Sequence, residues 1–333
     1  MRELLKVENL SVTFSAYNGE IHAVRDVSFS VHEGETLAVA GESGCGKSVT
    51  VRAILRLLER TSAKVSPASV AEYQGNNLLM LPKKELNKIR GNEISMVFQD
   101  AMASLNPTMT IGNQLIETVR AHRATGKTEA AGRASELLRL VELPDPASLF
   151  KRFPHELSGG QRQRVMIAMA LSNHPKILIA DEPTTALDVT VQAQILELLQ
   201  RLQKQLGMSV LFITHDLGLV AGIADRVQIM YGGRIVERGT AEDIFTAPKH
   251  PYTAALLAAV PRRNMERRKP LSVLPGTPPD LRLTLDCCPF AARCSYAMAV
   301  CKRKCPPEVK GCRCWLMHEL APKVSQMGVK KNE

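Results

Sequence analysis

One segment of the chain has the residue types and spacing of a phosphate-binding loop. GESGCGKS, at residues 41–48, follows an apolar run and precedes a segment with helical periodicity. Glycines in this pattern let successive backbone N–H groups face phosphate oxygens, and the N-terminus of the next helix adds positive potential. Lys47 is placed to reach the outer phosphates, and the hydroxyl of Ser48 is placed to bind Mg²⁺. The alternative is a glycine-rich turn that only joins a strand to a helix.

A pair of carboxylates follows a second apolar run. ILIADE, at residues 177–182, ends in Asp181 and Glu182, and ligands of open α/β sheets bind at the carboxyl ends of strands. Asp181 suits the coordination shell of Mg²⁺, and Glu182 can orient and polarise an attacking water. An isolated strand that ends in Asp-Glu is more often a solvated strand end. Together with the phosphate loop, the pair predicts phosphoryl transfer.

A second glycine-containing segment, LSGGQ at residues 157–161, precedes an apolar helical stretch. Ser158 and the glycines would form another helix N-terminus that an anion can approach closely. Taken alone, the segment is more simply explained as an N-cap serine followed by flexible glycines. Together with the phosphate loop, this segment would give one chain two helix N-termini that can bind phosphate.

The elements around these residues alternate between strands and helices. The wholly apolar runs 177–180 and 210–213 are typical of a parallel sheet buried on both faces, and a predominantly helical stretch follows the strand predicted at 94–98. The sequence therefore predicts an α/β fold with a helical insertion and a boundary within 235–270. The other predicted elements are strands at 4–7, 11–14, 27–31 and 36–40 and a helix at 46–58.

Composition limits the classes of protein to which the chain can belong. Its 333 residues, 45% of them hydrophobic, suffice for one large domain or two ordinary ones. Lys and Arg exceed Asp and Glu by 10, but residues 261–333 hold 15 basic and only 6 acidic side chains. The first 260 residues are therefore nearly neutral, which disfavours a nucleic-acid-binding groove. Since no apolar run approaches the roughly 20 residues of a membrane-spanning helix and the start lacks a secretory signal, we expect a cytoplasmic chain.

Six segments occur in a fixed order along the chain: GESGCGKS, Gln99 after a strand, LSGGQ, ILIADE, Ala186-Leu187-Asp188, and His215 after a strand. In order and spacing they resemble the ATP-binding subunits of ABC transporters, over about Leu4 to Arg238. The resemblance implies a P-loop ABC-type ATPase domain with a helical subdomain. It also implies a head-to-tail dimer in which each ATP lies between the phosphate loop of one subunit and the LSGGQ segment of the other.

The same resemblance implies a role for each matching residue. Lys47, Glu182 and His215 are the expected catalytic residues, with His215 holding the γ-phosphate, although a histidine at a strand end can simply be packed there. Gln99 would sense Mg²⁺ and the γ-phosphate and touch the membrane partner, and Asp188 would couple the two sites. Mg²⁺ would be bound through Ser48, Gln99 and Asp181. The expected ATP contacts are Tyr17, Gly41, Ser43, Gly44, Cys45, Gly46, Lys47, Ser48, Val49 and Gln99, and those in trans are Ser158, Gly159, Gly160 and Gln161.

Tyr17 is the expected adenine-stacking residue, because the family stacks the base on an aromatic ring in the early strands. It lies in a predicted hairpin before Asp26. Phe14 and His22 are close rivals, and simple packing within the hairpin is the alternative role for Tyr17. Cys45 occupies a variable position of the phosphate loop, where a small filler beside the backbone turn is the simplest interpretation.

Seven of the eight cysteines lie between Cys287 and Cys314, and in a reducing compartment such a cluster favours metal binding over disulfides. The segment after residue 240, with HPYT at 250–253, resembles the C-terminal extension of oligopeptide, dipeptide and nickel-type importer ATPases. That resemblance implies a [4Fe–4S] cluster on four of the cysteines, with nearby basic residues offsetting its charge. No Cys-x-x-Cys pair occurs, contrary to ordinary zinc ribbons, but zinc stays open, as does a solvated basic tail. The four expected ligands are Cys288, Cys294, Cys301 and Cys314, and Cys287, Cys305 and Cys312 are possible replacements.

These expectations combine into one hypothesis about organisation and function. Residues 1–240 would form the nucleotide-binding domain, with a helical subdomain at about 100–172, followed by a Cys-rich extension at 241–320 and a tail at 321–333. We expect the ATP-hydrolysing motor of an importer for dipeptides or oligopeptides, peripheral on the cytoplasmic face of the inner membrane. Its expected partners are an identical or related second ATPase subunit, two transmembrane permease subunits and, indirectly, an extracytoplasmic solute-binding protein, but not nucleic acid.

Other functions are less compatible with the sequence. An importer ATPase for nickel or another small solute is the nearest alternative, followed by a soluble ABC ATPase that acts on nucleic acid or ribosomes. About 110 residues separate Lys47 from Ser158, too few for the long coiled coil of chromosome-maintenance ATPases, and the chain carries one nucleotide domain. A redox protein is the third class, but no flavin or nicotinamide motif accompanies the cysteines.

Overall fold

The computed structural model describes residues 2–17, 19–260, 274–283, 286–322 and 324. Most of the predicted tail, 323 and 325–333, lies outside the described residues. The chain divides into two compact units. The first comprises residues 2–3, Val31–Thr36 and Met80–Ile213, and the second comprises Leu4–Ser30, Leu37–Leu79 and the described residues from Thr214 onward.

The chain contains both strands and helices, and they alternate strictly from Ile177 to Tyr231, as expected for an α/β protein. The strands are β1 (Glu3–Ala16), β2 (Gly19–His32), β3 (Thr36–Ala40), β4 (Ala63–Val65), β5 (Val70–Tyr73), β6 (Asn76–Asn77), β7 (Ile94–Val97), β8 (Ile177–Asp181), β9 (Ser209–Thr214), β10 (Arg226–Tyr231) and β11 (Arg234–Thr240). The α-helices are α1 (Lys47–Ile54), α2 (Lys83–Ile89), α3 (Ala101–Ser104), α4 (Ile111–Arg120), α5 (Lys127–Leu140), α6 (Pro146–Leu149), α7 (Gly159–Ala170), α8 (Val189–Leu206), α9 (Leu217–Val220), α10 (Ala241–Thr246) and α11 (Pro251–Ala259). None of the helices among the described residues is long and apolar enough to cross a membrane.

Parallel strands organise the first unit. Ile94 of β7 pairs with Ile177 of β8, and Ile177 pairs with Ser209 of β9. All of β8 and β9 is buried, because uninterrupted apolar runs fit a parallel sheet covered on both faces. The carboxyl ends of β7 and β8 lead to Gln99 and Asp181, so this pairing gathers their side chains at one edge.

The helical insertion of the first unit lies between β7 and β8. Its helices α4, α5 and α7 pack against one another, and each buries apolar side chains such as Leu115, Leu137 and Val165. The α/β class and the helical insertion predicted from the sequence are confirmed.

The second unit combines antiparallel and parallel pairing. β1 pairs antiparallel with β4 and β5, and β5 with β6. β3 pairs parallel with β10, which turns through Gly232-Gly233 into the antiparallel strand β11. The phosphate-loop segment leaves β3 in this unit, so β10 supports the strand from which the loop begins.

The cysteine-rich extension shares an apolar core with the rest of the second unit. Phe290 and Cys301 belong to the same buried cluster as Ile229, Tyr231 and Tyr252. The ring centroids of Tyr231 and Tyr252 are 4.5 Å apart, and Phe290 meets Tyr231 edge-on at 5.3 Å. The described part of the extension is therefore packed structure, which disfavours a solvated tail.

Several element boundaries differ from the sequence-based expectation: the strand predicted at 27–31 begins at Gly19, and two other differences each involve a residue with a left-handed backbone. The strands predicted at 4–7 and 11–14 form one continuous strand. Asn9, which lies between them, adopts a left-handed φ of 53° without ending the strand. The helix predicted at 46–58 ends at Ile54, since Arg56 also adopts a left-handed φ of 52° and the chain turns away there.

Candidate nucleotide site

The phosphate loop joins β3 to α1. At two of its glycines any side chain would force the neighbouring backbone to move. A Cβ on Gly41 would lie 2.1 Å from the carbonyl oxygen of Met230, and one on Gly46 would lie 2.3 Å from that of Ala23. Gly46 also has a φ of 105°, which side chains rarely adopt. Close packing therefore explains why both positions are glycine.

Lys47, the first residue of α1, directs its ammonium back over the loop. Its Nζ donates to the carbonyl oxygens of Gly41, at 2.8 Å, and Glu42, at 3.0 Å, and only 4% of the residue is exposed. Ser48 follows in the first turn of α1 and is half-buried. The sequence-predicted cation and hydroxyl thus lie at one end of the loop.

Cys45 is a packed residue of the same loop. It is 5% exposed, burial raises the pKa of its thiol, and its carbonyl oxygen accepts a hydrogen bond from the Gly233 N–H at 3.1 Å. These contacts agree with the small-filler interpretation of this position.

Two side chains from the extension contact the loop at Glu42. The Glu42 N–H donates to the hydroxyl of Tyr252 at 2.9 Å, and the Glu42 carboxylate pairs with Arg293 at 2.7 and 2.9 Å. Neither contact follows from sequence spacing, since 210 and 251 residues separate the partners. The HPYT motif at 250–253 does not by itself indicate that its tyrosine reaches the phosphate loop.

In the first unit, Glu182 is held by side chains from two segments. Its Oε2 accepts from Gln99 Nε2 at 3.0 Å and from Thr185 Oγ1 at 3.0 Å. The backbone of Glu182 is left-handed, with a φ of 48°, and its N–H donates to the Ile213 carbonyl at 2.9 Å. Asp181, one residue earlier, is completely buried at the end of β8. The arrangement fixes the Glu182 carboxylate in orientation, as water positioning requires, and Thr185 is a contributor that the sequence did not indicate.

The LSGGQ segment forms the N-terminus of α7 through a capping box. Ser158 Oγ accepts from the Gln161 N–H at 3.3 Å, and Gln161 Oε1 accepts from the Ser158 N–H at 3.0 Å. A Cβ on Gly160 would lie 2.7 Å from Val191 Cγ1, so the glycine allows the N-termini of α7 and α8 to approach. Asp188 caps α8 by accepting from the Val191 N–H at 2.9 Å.

A cavity of about 450 Å³ in the first unit connects these segments. Its lining includes Gln99, Gly159, Arg162, Thr185 and Leu187. The Gln99 segment, the LSGGQ segment and the Ala-Leu-Asp segment of one chain therefore share a surface, although their sequence positions are far apart.

The remaining nucleotide candidates lie at exposed positions of the second unit. His215 follows β9 and is exposed. Tyr17 is wholly exposed beside an open hollow of about 370 Å³ that Asp280 and Arg282 also line. Its rivals Phe14 and His22 are partly buried in β1 and β2, so of the three rings Tyr17 is the most accessible to a base.

The four cysteines expected to bind a cluster lie close enough to affect one another. Burial, with smaller contributions from Cys301, Cys314 and Cys294, raises the pKa of Cys288 to about 12. Burial raises the pKa of Cys314 to about 11, again with contributions from Cys294 and Cys301. Cys305 instead donates to the carbonyl oxygen of Cys287 at 3.1 Å. Among the residues that the structure describes, no three His, Cys, Asp or Glu side chains are grouped tightly enough for a single metal ion.

Family profiles match both parts of the chain. The profile described as ABC transporter matches residues 24–185, and that of the oligopeptide/dipeptide transporter C-terminal region matches residues 236–301. These matches cover the phosphate loop, the Glu182 strand and most of the cysteine-rich extension.

Relatives and solved structures agree with the profiles. The oligopeptide transport ATP-binding protein OppD of Bacillus subtilis is 50% identical over 96% of this chain and 91% of the relative. The dipeptide transport ATP-binding protein DppD of the same organism is 49% identical over 96% of this chain and 97% of the relative. The dimeric ATP-binding cassette MJ0796, solved in a post-hydrolysis state with ADP and Pi, has 30% identity and a TM-score of 0.64, over 72% of this chain and 99% of that one. The resemblance drawn from the motifs is confirmed, and the chain belongs to the ABC transporter ATPases, in the branch that carries the oligopeptide/dipeptide transporter C-terminal region.

Proposed function

We propose that the chain is the ATP-hydrolysing motor subunit of an importer for dipeptides or oligopeptides. The observation that carries the proposal is near-50% identity to oligopeptide and dipeptide transport ATP-binding proteins along both the nucleotide-binding part and the extension. ATP binding would close a dimer of nucleotide-binding domains, closure would drive the membrane partner between access states, and hydrolysis would reset it. The chain itself would not contact the solute.

In the proposed reaction, the protein orients the reactants and neutralises charge. A water oxygen forms a bond to the γ-phosphorus, the bond from phosphorus to the bridging oxygen of ADP breaks, and the proton released ends on inorganic phosphate. Glu182 orients and polarises the water, and its bonds to Gln99 and Thr185 support that role. Lys47 and His215 stabilise the γ-phosphate. Ser48, Asp181 and Gln99 would hold Mg²⁺ through their side-chain oxygens. The bound ion would neutralise charge on the phosphates.

Each ATP would lie between two chains. The phosphate loop of one chain would bind the phosphates, and Ser158 with Gly159, Gly160 and Gln161 of the other would complete the site at the N-terminus of α7. Asp188 would couple the two sites. Since the dimeric cassette MJ0796 shares the fold, a dimer of this chain, with an identical or a related partner, is the expected functional form.

We also infer that Cys288, Cys294, Cys301 and Cys314 hold a [4Fe–4S] cluster. The donor set suits it, because four thiols are a complete ligand set and each would bind a separate iron. Their mutual electrostatic effects support proximity, whereas a zinc ion would need all four sulfurs at about 2.3 Å from one point. The cluster would be structural, tying the Pro-rich extension into a fixed shape.

The proposed location is the cytoplasmic face of the inner membrane, with the chain peripheral and bound to two transmembrane permease subunits. An extracytoplasmic binding protein would act indirectly through those subunits. The relatives' names as transport ATP-binding proteins support this assembly.

Transport experiments distinguish peptide import from nickel import. The chain, affinity-tagged in its native cell, should co-purify from membranes with two permease subunits. Cells that lack it should lose uptake of labelled dipeptides or oligopeptides and should regain it with the wild-type chain but not with Glu182→Gln. Loss of nickel uptake with peptide uptake intact would contradict the proposed solute, and purification without any membrane subunit would contradict a transport role.

A further inference from the structure

Glu42, the second residue of the phosphate loop, is held at three points. Its carbonyl oxygen accepts from Lys47 Nζ at 3.0 Å, its N–H donates to the Tyr252 hydroxyl at 2.9 Å, and its carboxylate binds Arg293. The first contact belongs to the loop itself, and the other two come from the C-terminal extension. One residue therefore links the extension to the lysine that reaches the phosphates.

Arg293 makes the stronger of the two contacts from the extension. Its Nη1 and Nη2 pair with the two Glu42 carboxylate oxygens at 2.7 and 2.9 Å, and its Nε donates to the Pro275 carbonyl at 2.8 Å. The Arg293 side chain is only 5% exposed. The Glu42 side chain is 24% exposed, but a bidentate pair with a nearly buried guanidinium fixes both position and orientation, which limits the rotation of Glu42.

Aromatic packing holds both contacting side chains in place. The Tyr231 hydroxyl accepts from Arg293 at 3.2 Å, and the guanidinium lies 5.7 Å from the centre of the Tyr231 ring. Tyr252 is fully buried and packs against Tyr231 and Phe290. The contacts to Glu42 thus start from a rigid cluster, which is what a positioning role requires.

We propose that Arg293 and Tyr252 are positioning residues for ATP binding: they preorganise the phosphate loop through Glu42. Loop N–H groups bind phosphate best when they already point at it, because ordering them on binding costs free energy. The extension would then set nucleotide affinity in addition to anchoring the cysteine site. The inference concerns ATP binding and is independent of which solute is transported.

The test uses the full-length chain and a double-mutant cycle between Glu42 and Arg293. The measured quantities are the Kd for a fluorescent ATP analogue with Mg²⁺ and, after assembly with the membrane subunits, KM and kcat. We expect Glu42→Gln and Arg293→Gln each to raise Kd and KM about tenfold with kcat changed less than about twofold, since lost ground-state positioning acts on binding. The double variant should be no worse than either single one, because both remove the same pair.

Two further variants test the geometry. Arg293→Lys keeps the charge but not the bidentate contact and should restore only part of the affinity. Tyr252→Phe removes one acceptor from a loop N–H and should raise Kd severalfold. If Arg293→Gln fails to fold, the isosteric Glu42→Gln carries the test, because it breaks the same pair from the loop side.

Arg313 provides the matched control. It also precedes a candidate ligand cysteine and pairs with a carboxylate, Asp26, at 3.1 Å, but Asp26 lies in β2 rather than in the phosphate loop. Arg313→Gln should therefore leave Kd within about twofold of wild type. Equal losses of affinity in the Arg293 and Arg313 variants, additive losses in the cycle, or an unchanged Kd in Glu42→Gln would each overturn the proposal.

Discussion

The side-chain amide of Gln99 donates to Glu182 Oε2 at 3.0 Å. The residue expected to sense the γ-phosphate and the membrane partner is thus bonded directly to the residue expected to position the water. A shift of Gln99 would therefore change the orientation of the Glu182 carboxylate directly, with no other residue between them. Thr185, the second donor to this oxygen at 3.0 Å, limits how far the carboxylate can turn.

Glu182→Gln should leave ATP binding intact and lower steady-state hydrolysis by at least about a hundredfold, since a positioned base contributes rate factors of that size. The phosphate loop is unchanged by the substitution, so an ATP-bound dimer should accumulate. Hydrolysis assayed with the membrane subunits, together with size-exclusion chromatography in ATP, measures both effects. Turnover near the wild-type rate would remove Glu182 from the catalytic role.

Lys47→Ala and Ser158→Arg should fail at different steps. Loss of the Lys47 ammonium removes charge-assisted contacts to phosphate worth about 1.5–3 kcal/mol, so Kd for ATP should rise at least tenfold. Ser158 lies at the N-terminus of α7, and an arginine there should block closure against a partner while its own loop still binds ATP. Ser158→Thr retains a hydroxyl cap and serves as the control.

Mixing the two variants tests whether the sites are composite. In a mixed homodimer, one site combines the normal loop with the normal LSGGQ segment, so partial activity should return. No recovery at any mixing ratio would contradict the composite homodimer and favour a related second ATPase as partner.

Anaerobically purified protein should contain iron and sulfide in the proportions of one [4Fe–4S] cluster, with the matching visible absorption. Serine at Cys288, Cys294, Cys301 or Cys314 should abolish the cluster and weaken assembly with membrane subunits more than ATP affinity. Serine at Cys287, Cys305 or Cys312 should preserve the cluster. Stoichiometric zinc without iron would replace the cluster with a zinc site, and a requirement for one of the latter three would contradict the ligand choice.

Sequence patterns predicted the parts of this molecule that depend on neighbouring residues. The loop at 41–48 and the cap at Ser158 are local backbone conformations, so their residue types identify them directly. The contacts of Glu42 with Tyr252 and Arg293 join segments more than 200 residues apart, and periodicity carries no information about such pairs. Likewise, the sequence predicts separate strands at 4–7 and 11–14, yet β1 runs through both because it pairs with β5 over Leu5–Glu8 and with β4 over Val12–Phe14.

His250 should make the folded chain sensitive to acid. It is 1% exposed, and burial lowers its pKa from 6.5 to about 3. Its Nδ1 accepts from the Tyr252 N–H at 3.0 Å at the start of α11, and the backbone N–H of His250 donates to the carboxylate of Glu237, whose pKa is raised by burial. At neutral pH the imidazole is therefore neutral and acts as an acceptor.

The sign of the effect follows from the lowered pKa of His250. Between pH 6.5 and about 3 the unfolded chain binds more protons at this residue than the folded one, so its stabilising contribution is full above pH 6.5 and falls as the pH drops. The loss should be roughly 1 kcal/mol per pH unit, or about 2 °C in Tm. His250→Asn keeps a capping acceptor but does not titrate, so its Tm should fall less steeply from pH 6 to pH 4. Thermal unfolding of both chains over that range decides the question, and since Glu237 is common to both, equal slopes would exclude His250 as the titrating group.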